Sequence, residues 1–239
     1  MVLPFFYTEV VSSIDDIIVL NEENSRHIVQ VLRMVEGRQI NITDGLGTIC
    51  TAEIIEAHKK KCTIKIIDTQ KKIAPAKKVC IAVSPVKNSS RFEWFLEKAA
   101  EIGVTEIVPL ICERTEKQFL KFDRLRGILI SAMLQSQQAW LLVLHEPVKY
   151  INFVKENKGD NKFIAHCEEQ NKISLKEKTG QLSNQLINQT TILIGPEGDF
   201  TKDEIDFALQ NNFTPVALGN TRLRTETAAV VAATLLCVS

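Results

Sequence analysis

Two glycine-containing turns near the end of the sequence carry the residue types best suited to chemistry. The first, residues 195–198, reads GPEG and follows an apolar segment that ends at Ile194. The second, residues 218–228, reads LGNTRLRTETA and places Arg224 and Glu226 just before an apolar helix. Glycine lets backbone groups approach a ligand closely, and an arginine beside a glutamate can stabilise developing negative charge. We therefore predict that residues 192–236 contain the active site of an enzyme.

Each turn taken alone has a plainer interpretation. Glycines between a strand and a helix often form a tight turn without a ligand, and an arginine–glutamate pair beside a helix start is usually a structural ion pair. The first turn is not a Walker loop, because no Gly-Lys-Ser/Thr follows it, and it lacks the G-x-G-x-x-G pattern of dinucleotide sites. Thr201 and Glu204 predict a capping box for the helix after it.

Apolar strands alternate with helices in the second part of the chain. The pattern predicts strands at 80–84, 107–111, 163–166, 192–194 and 215–218, and helices at 90–102, 122–136 and 227–238. The helix at 90–102 is expected to begin with a capping box of Ser90 and Glu93 and to end at Gly103. Fully apolar strands between helices predict an α/β fold with a parallel sheet covered on both faces, whose ligands bind beyond the carboxyl ends of the strands. The last helix is apolar almost all round, so we expect it to be buried on every side, within the core or against a partner subunit.

The apolar residues in the first part of the chain have a different periodicity. A short helix is predicted at 23–32, and alternating apolar residues predict an antiparallel β unit with strands at 39–43, 51–54 and 62–66. Residues 70–78 are rich in lysine and have no periodicity, so we place the domain boundary there. The sequence thus predicts two domains, residues 1–70 and residues 75–239.

Composition narrows the class of protein. No run approaches the ~20 apolar residues of a membrane span, and the first ten residues lack the features of a signal peptide, so we expect a cytoplasmic protein without a membrane segment. The six cysteines lie in apolar runs without a C-x-x-C pair and are expected to be reduced core residues. The four histidines show no ligand spacing, so no metal is predicted. Lys and Arg balance Asp and Glu at 29 each, so any RNA contact must come from local patches.

Together the two turns resemble the SPOUT superfamily of methyltransferases, and within it the RsmE family. The resemblance covers nearly the whole chain and includes GPEGDF at 195–200, LGNTRLRTETAA at 218–229, His27 with VLRM at 31–34, and Lys87, Arg91, Glu93, Lys98, EIGV at 101–104 and Pro109. One motif departs. Where many members have E-Q-S/C-G/R-R, residues 134–138 read LQSQQ, which keeps Gln135 and Ser136 but loses the acidic and arginine positions. Any role that those side chains have in positioning RNA elsewhere in the family is therefore not transferred to this chain.

The resemblance implies a small PUA-like β-barrel that binds RNA, followed by a SPOUT methyltransferase domain with an open parallel sheet and a C-terminal trefoil knot. It also implies methylation of N3 of a uridine in 16S ribosomal RNA, at the position usually numbered 1498, within the small ribosomal subunit. The methyl donor would be S-adenosylmethionine. Members are homodimers in which the last helix packs against the partner, and the apolar helix at 227–238 agrees with this.

The same resemblance implies roles for individual residues. The positions assigned to the cofactor are Ile194, Gly195, Glu197, Gly198, Leu218, Gly219, Leu223, Arg224, Thr227 and Ala228. Arg224 is assigned the role of stabilising the uridine anion, and Glu226 is expected to orient Arg224 or to accept the proton. The candidate phosphate contacts are Arg33, Lys87, Arg91, Lys98 and Arg114.

Two other hypotheses remain open at this point. The chain could be a SPOUT methyltransferase that acts on a different RNA, which the departure at 134–138 favours. It could instead be a non-catalytic RNA-binding or ribosome-assembly protein, although the intact turns at 195–198 and 218–228 argue against that. Mapping the modified nucleotide distinguishes the first alternative from the methylation of uridine 1498. A measurement of cofactor binding distinguishes the second alternative from both enzymes.

Overall fold

The chain folds into two compact units. The computed structural model describes residues 3–9, 13–169, 171–182 and 189–238. One unit consists of Met1–Ala74 with Met133–Leu141, and the other consists of Pro75–Ala132 with Leu142–Ser239. The assignment of Met133–Leu141 to the first unit has no counterpart in the sequence pattern, which places this segment within the second part of the chain.

The first unit is built on a five-stranded sheet. Its strands are β1 (Phe5–Tyr7), β2 (Ile17–Val19), β3 (Gln39–Thr43), β4 (Thr48–Glu56) and β5 (Thr63–Lys71), in the order β1-β3-β4-β5-β2. Neighbours are antiparallel except β1 and β3, so the predicted antiparallel unit is confirmed with one parallel strand added. The predicted short helix is α1 (Glu22–Arg26), which continues as a π-helical segment, His27–Val31. Isoleucines at alternate positions of β3 and β5 are fully buried and form the core.

The segment that departs from the family motif packs within this first unit. The Leu141 N–H donates to the Gly45 carbonyl at 2.8 Å, and the Gly47 N–H donates to the Ala139 carbonyl at 2.9 Å. The Trp140 ring lies so close to Gly47 that a Cβ there would come within 2.3 Å of it, and Gly47 has a φ of +92°. Glycine is therefore required at this position, both for space and for backbone conformation.

The second unit is built on an eight-stranded parallel sheet. Its strands are β6 (Lys78–Val83), β7 (Glu106–Ile111), β8 (Val143–Leu144), β9 (Val148–Lys149), β10 (Asn161–Ala165), β11 (Ile173–Ser174), β12 (Gln189–Ile194) and β13 (Thr214–Ala217). The order is β11-β13-β10-β12-β6-β7-β8, and β9 also pairs with β7. Every pair is parallel, which confirms the predicted parallel sheet.

Helices cover both faces of this sheet. The helices that follow β6 in the chain are α2 (Ser89–Ile102), α3 (Phe122–Gln135), α4 (Tyr150–Glu156), α5 (Leu175–Leu182), α6 (Lys202–Gln210) and α7 (Thr225–Cys237). Ala82, Ile164 and Leu193 pack with α4 and α6 in one buried cluster. The alternate residues of the same strands, such as Ile81 and Ile192, are equally buried, and α7 packs on β6 and β12 with α2 beside it. Burial of both faces explains why these strands are continuously apolar.

One of the two predicted capping boxes is wrong. α2 begins at Ser89, and its N-cap is Asn88, whose side chain accepts from the Ser90 N–H at 3.0 Å. The Glu93 carboxylate instead accepts two hydrogen bonds from the Arg124 guanidinium, at 2.6 and 2.8 Å. Two charged donors bind a carboxylate more strongly than the backbone N–H of a capping box. The box of Thr201 and Glu204 is confirmed, with both reciprocal hydrogen bonds present.

The last helix is buried along one side within this single chain. α7 buries one stripe, Ala229, Ala232, Ala233 and Leu236, against the sheet and α2. Thr234 is exposed and Val238 is 70% exposed in the single chain, because one sheet covers only one side of a helix. Burial of the other side against a partner subunit stays a prediction. No described helix is long and apolar enough to cross a membrane.

The cysteines follow the sequence prediction only in part. Cys50, Cys62, Cys80 and Cys112 are buried, and burial raises the pKa of the Cys80 thiol to about 12. Cys167 is exposed, so the expectation that it belongs to the core is wrong. It lies two residues after the end of β10, where the chain has left the sheet for a loop.

Candidate functional site

The carboxyl ends of three neighbouring strands define the site. β10 lies between β12 and β13, and Ala165 is aligned with both Ile194 and Val216. The loops that follow these strands are therefore held side by side, as the ends of parallel strands are at a ligand-binding edge. They line a cavity of about 790 Å³.

The cavity brings together most of the residues predicted to hold a cofactor. Those that line it are Ile194, Gly195, Glu197, Leu218, Gly219, Leu223, Arg224 and Ala228. The other two lie outside the lining: Thr227 is in the first turn of α7, and Gly198 faces Arg114. Sequence reasoning missed several further members, including Ala165, His166, Cys167 and Lys172 at the end of β10 and beyond it.

The first turn is shaped by close backbone packing. A Cβ on Gly195 would lie 3.1 Å from both the ring and the backbone nitrogen of Phe200, so the turn favours glycine. Asp199, with a φ of +62°, accepts from the Cys167 N–H at 2.7 Å and so ties this turn to the loop after β10. Arg114 donates to the Gly198 carbonyl at 2.7 Å, which anchors the outer side of the turn.

The second turn presents its polar residues at the start of α7. Arg224 is the N-cap residue, it is exposed, and its carbonyl accepts from the Ala228 N–H at 2.7 Å. A Cβ on Gly219 would meet no atom within 4 Å, so the backbone there borders open space. This is the geometry expected where a ligand approaches the main chain.

Glu226, which is expected from the sequence to orient Arg224 or to accept a proton, lies beside Arg91. It is buried and does not line the cavity, and its Oε1 lies 3.7 Å from the Nε of Arg91 on α2. Arg91 itself lines the cavity. The Glu226 Oε2 is buried without a hydrogen-bond partner among the described residues. The carboxylate is thus placed to orient Arg91 from behind the cavity wall.

His166 is the functional candidate that the sequence analysis did not single out. It lines the cavity, is only 8% exposed, and neither ring nitrogen has a hydrogen-bond partner among the described residues. Burial lowers the pKa of His166 and the charge of Lys172 lowers it further, which favours the neutral imidazole. Its position directly after an apolar strand was the available signal, because such positions in parallel sheets face the ligand edge.

The five predicted RNA contacts are scattered. Arg91 lines the cavity and Arg114 anchors its first turn. Lys87 is exposed and lies 3.0 Å from Glu116, whose hydrogen bond raises the pKa of Lys87, with the charge of Glu197 adding to this. Lys98 lies further along α2, paired with Glu97 and Glu101, and Arg33 belongs to the first unit.

Comparisons with known proteins agree with this architecture. Residues 73–237 match the RNA methyltransferase domain family, and residues 20–67 match the RNA methyltransferase PUA domain family. The ribosomal RNA small subunit methyltransferase E of Rickettsia conorii is 26% identical, over 89% of this chain and 85% of that protein.

Two solved structures extend the similarity over almost the whole chain. A probable rRNA methyltransferase from Porphyromonas gingivalis is 35% identical with a TM-score of 0.89, covering 99% of both chains. A ribosomal RNA small subunit methyltransferase E from Neisseria gonorrhoeae, bound to S-adenosyl methionine, is 27% identical with a TM-score of 0.83, covering 97% of this chain and 95% of that one. The chain therefore belongs to the RNA methyltransferase family, and within it to the ribosomal RNA small subunit methyltransferase E group.

Proposed function

We propose that this protein transfers a methyl group from S-adenosylmethionine to N3 of a uridine in small-subunit ribosomal RNA, the position usually numbered 1498 in 16S RNA. The observation that carries the proposal is the cavity at the ends of β10, β12 and β13, where both glycine-containing turns meet. The names of the relatives support a ribosomal RNA substrate, and the Neisseria gonorrhoeae protein supports the methyl donor. A ribosomal RNA substrate implies a cytoplasmic enzyme.

The cavity fits a donor that has a nucleoside part and an amino-acid part. Its volume of about 790 Å³ lies within the roughly 300–1,000 Å³ typical of small-molecule sites. Ile194 and Val216 give it a buried apolar wall, and Gly219 leaves room for close approach to the main chain. Leu218, Leu223 and the other cavity-lining residues of the two turns would hold the donor there. Gly198 and Thr227 do not line the cavity, so they would affect cofactor binding through the conformation of the two turns.

The reaction requires N3 of uridine to lose its proton and attack a methyl carbon in line. S-adenosylmethionine, when bound, supplies that methyl group on a positively charged sulfur. As the N3 proton leaves to water, negative charge develops on the uracil oxygens, and Arg224 at the mouth of α7 is placed to stabilise it. An arginine suits this role because its guanidinium stays protonated.

Glu226 acts through Arg91 in this scheme. Because the carboxylate does not line the cavity, we assign it a positioning role and not the removal of the N3 proton. Its Oε1 lies 3.7 Å from the Arg91 Nε, and this ion contact keeps the guanidinium at the cavity wall. Arg91 and Arg224 then approach the substrate from α2 and α7.

An RNA-binding surface continues from the cavity along the segment before α3. We call it the basic strip and define it by Arg114, Lys117, Phe119, Lys121 and Arg124. Arg114 anchors the first turn, Lys117 contacts Ser89, and Arg124 pairs with Glu93. The hydrogen bonds from Arg124 hold the pKa of Glu93 below its usual range, and the charges of Lys117 and Lys121 add to this effect. Several cations thus gather beside the cavity.

Phe119 lies between the two lysines of the basic strip and is 77% exposed. Its neighbour Leu120 is buried, so the chain is anchored there while the aromatic ring faces water. An exposed aromatic ring flanked by cations is the arrangement that stacks on an unpaired base while the lysines contact phosphates. We therefore assign Phe119 to a base next to the methylated uridine.

The Phe119→Ala variant is expected to raise the KM for RNA about tenfold, because stacking on one base contributes roughly 1–3 kcal/mol. The KM for S-adenosylmethionine should not change, and Phe119→Tyr should retain most of the RNA affinity. Methylation rates measured while each substrate is varied in turn give both constants. Ile151→Ala, which removes an exposed apolar side chain on α4, is the matched control. An unchanged KM for RNA in Phe119→Ala would exclude the basic strip as the RNA surface.

Three features of the family fold are part of the proposal. The first is a division into an RNA-binding domain at 1–70 and a methyltransferase domain at 75–239, supported by the match of the PUA family to residues 20–67. The second is a trefoil knot in the C-terminal segment. Tracing the path of the chain through the cavity loops would test for this knot. The third is a homodimer, supported by the exposed apolar end of α7 at Val238, and a solution mass near 26.9 kDa would contradict it.

The test of the function uses labelled S-adenosylmethionine and small ribosomal subunits that lack the methyl group. We expect label on a single uridine, at N3, identified by mass spectrometry of RNA fragments. Label found only on transfer RNA or on ribose would support another RNA methyltransferase activity. Calorimetry that detects no binding of S-adenosylmethionine would support a non-catalytic RNA-binding protein.

A further inference from the structure

The loop that follows β7 is tied to the first turn of the cavity. This loop comprises residues 112–116. The Glu113 N–H donates to Oε1 of Glu204 at 2.9 Å, and the Arg114 guanidinium donates to the Gly198 carbonyl at 2.7 Å. Two consecutive residues of the loop therefore bind the segment that runs from the first turn into α6.

The Glu204 carboxylate fixes the main chain of this loop. It is buried, and its Oε2 accepts from the Thr201 N–H at 2.9 Å, so each of its oxygens accepts a backbone hydrogen bond. Hydrogen bonds to a charged carboxylate are stronger than those between neutral groups. Thr115 holds the loop further, because its Oγ1 accepts from the Cys112 N–H at 2.8 Å and both residues are buried. The main chain at Arg114 is therefore held against the start of α6.

The Arg114 side chain is the weaker part of this link. It is exposed, and no carboxylate pairs with it in the part of the chain that the structure describes. A hydrogen bond at such a site stabilises little, because water competes for both groups and the long side chain loses rotamer freedom when it is held. We therefore expect the contact with Gly198 to form only part of the time in the free protein.

The absence of a side chain at Gly198 makes room for this arginine. A Cβ there would lie 3.3 Å from Cδ of Arg114, which is tighter than most carbon–carbon contacts. Gly198 does not line the cavity, whereas Gly195 and Glu197 of the same turn do. The first turn thus has one side that faces the ligand site and another that is covered by Arg114.

Arg114 is also the first residue of the basic strip. A guanidinium has five N–H donors, so Arg114 can bind an RNA phosphate while it keeps its hydrogen bond to the Gly198 carbonyl. A phosphate bound there holds the side chain in place, and ordering it then costs nothing more when the cavity is filled. Because the turn carries cavity-lining residues, holding it favours the state that binds a ligand.

We propose that Arg114 is a positioning residue that couples the two substrates: an RNA phosphate on its exposed side fixes the first turn, so the methyl donor binds more tightly once RNA is bound. This inference rests on the proposed function, because it needs RNA at the basic strip and a donor in the cavity. It goes beyond that function by making the two binding events cooperative.

The test measures the affinity of the full-length chain for labelled S-adenosylhomocysteine by equilibrium dialysis. The dissociation constant is determined alone and with saturating small ribosomal subunits that lack the methyl group, and subunits dialysed without the protein give the background. We expect the subunits to lower the constant about five- to tenfold, at the lower end of the usual range for coupled sites. In Arg114→Ala this ratio should fall to about one, and Arg114→Lys, which keeps a cationic donor, should retain most of it.

Lys121→Ala is the matched control for the coupling. Lys121 is an exposed cation of the same basic strip and makes no described hydrogen bond or ion pair with the first turn. Its removal should increase the concentration of subunits needed for saturation, because a phosphate contact is lost, and should leave the ratio of the two dissociation constants unchanged. Thermal unfolding of each variant checks the fold.

A second measurement separates positioning from a loss of structure. With RNA saturating, Arg114→Ala should raise the KM for S-adenosylmethionine by the factor lost from the coupling, and the effect should not extend to the single-turnover rate with both substrates saturating. A lower rate with an unchanged KM would place Arg114 in the methyl-transfer step and would overturn the proposal.

The outcomes also distinguish this inference from the function on which it rests. A ratio of one in the unaltered protein, or an unchanged ratio in Arg114→Ala, would overturn the coupling while leaving the proposed function in place. Equal losses of the ratio in Arg114→Ala and Lys121→Ala would show that total charge is responsible, and not the contact with Gly198. If the unaltered protein binds neither S-adenosylhomocysteine nor the subunits, the proposed function fails and the inference fails with it.

Discussion

Arg224→Ala is expected to lower the rate of methyl transfer in a single turnover by a factor of about 100 to 1,000. Losing one preorganised donor that faces developing negative charge typically has an effect of this size. Arg224 is exposed at the N-terminus of α7 and its side chain takes no part in capping the helix, so its removal leaves the fold intact. The measurement is the rate of label transfer with enzyme in excess over RNA, both substrates being saturating.

The matched control for this variant is Arg222→Ala. Arg222 lies two residues earlier in the same turn, lines the same cavity and is also exposed. Removing it changes the local charge by the same amount, and we expect the single-turnover rate to stay within a few-fold of the unaltered enzyme. Equal losses in the two variants would show that total positive charge matters, and not the specific placement of Arg224.

Gly219→Val is expected to weaken binding of S-adenosylhomocysteine by on the order of a hundredfold. A Cβ at this position meets no protein atom within 4 Å, so the protein leaves space there for a side chain, although residues with a side chain rarely adopt the φ of +159° found at Gly219. In the proposed complex that space belongs to the ligand, and filling it forces the ligand or the turn to move, at a cost of roughly 1–3 kcal/mol. Calorimetry at one temperature and pH gives the two dissociation constants.

Gly103→Val serves as the control for this second result. Gly103 ends α2 with a φ of +98°, and a Cβ there also meets nothing within 4 Å, so both substitutions enter open space at a backbone conformation that favours glycine. The control should bind S-adenosylhomocysteine as tightly as the unaltered protein. If Gly219→Val binds the product normally while keeping its melting temperature, the ligand does not approach the second turn and the proposed binding mode is wrong.

The elements of the fold could be predicted because burial leaves a local pattern. β6 and β12 are buried on both faces and therefore appear as continuous apolar runs, while β3 alternates because only one of its faces lies in a core. Gly103 ends α2 with a φ of +98°, a conformation that other residues adopt rarely. The N-cap of α2 was predicted two residues too late, at Ser90 and not at Asn88, since Asn88, Ser89 and Ser90 can all serve as caps.

The site could be predicted only where its residues are close together in the sequence. The two turns, with Gly195, Gly219 and Arg224, were visible in the sequence by residue type and by their order. His166 was not, because its significance depends on β10 lying between β12 and β13, an order that no local pattern encodes. The contact of Glu226 with Arg91 likewise joins residues far apart in the chain.

The sequence by itself determined the classes of element, the parallel sheet, the two turns and the family. These follow from the periodicity of burial and from short motifs, which are properties of neighbouring residues. Tertiary structure alone decided that residues 133–141 pack with the first unit, and that Val238 is exposed in the single chain. It also decided that His166 lines the cavity and that its ring nitrogens have no hydrogen-bond partner among the described residues. Each of these depends on which segments meet in space, and strand order and packing fix that only after the local elements have formed.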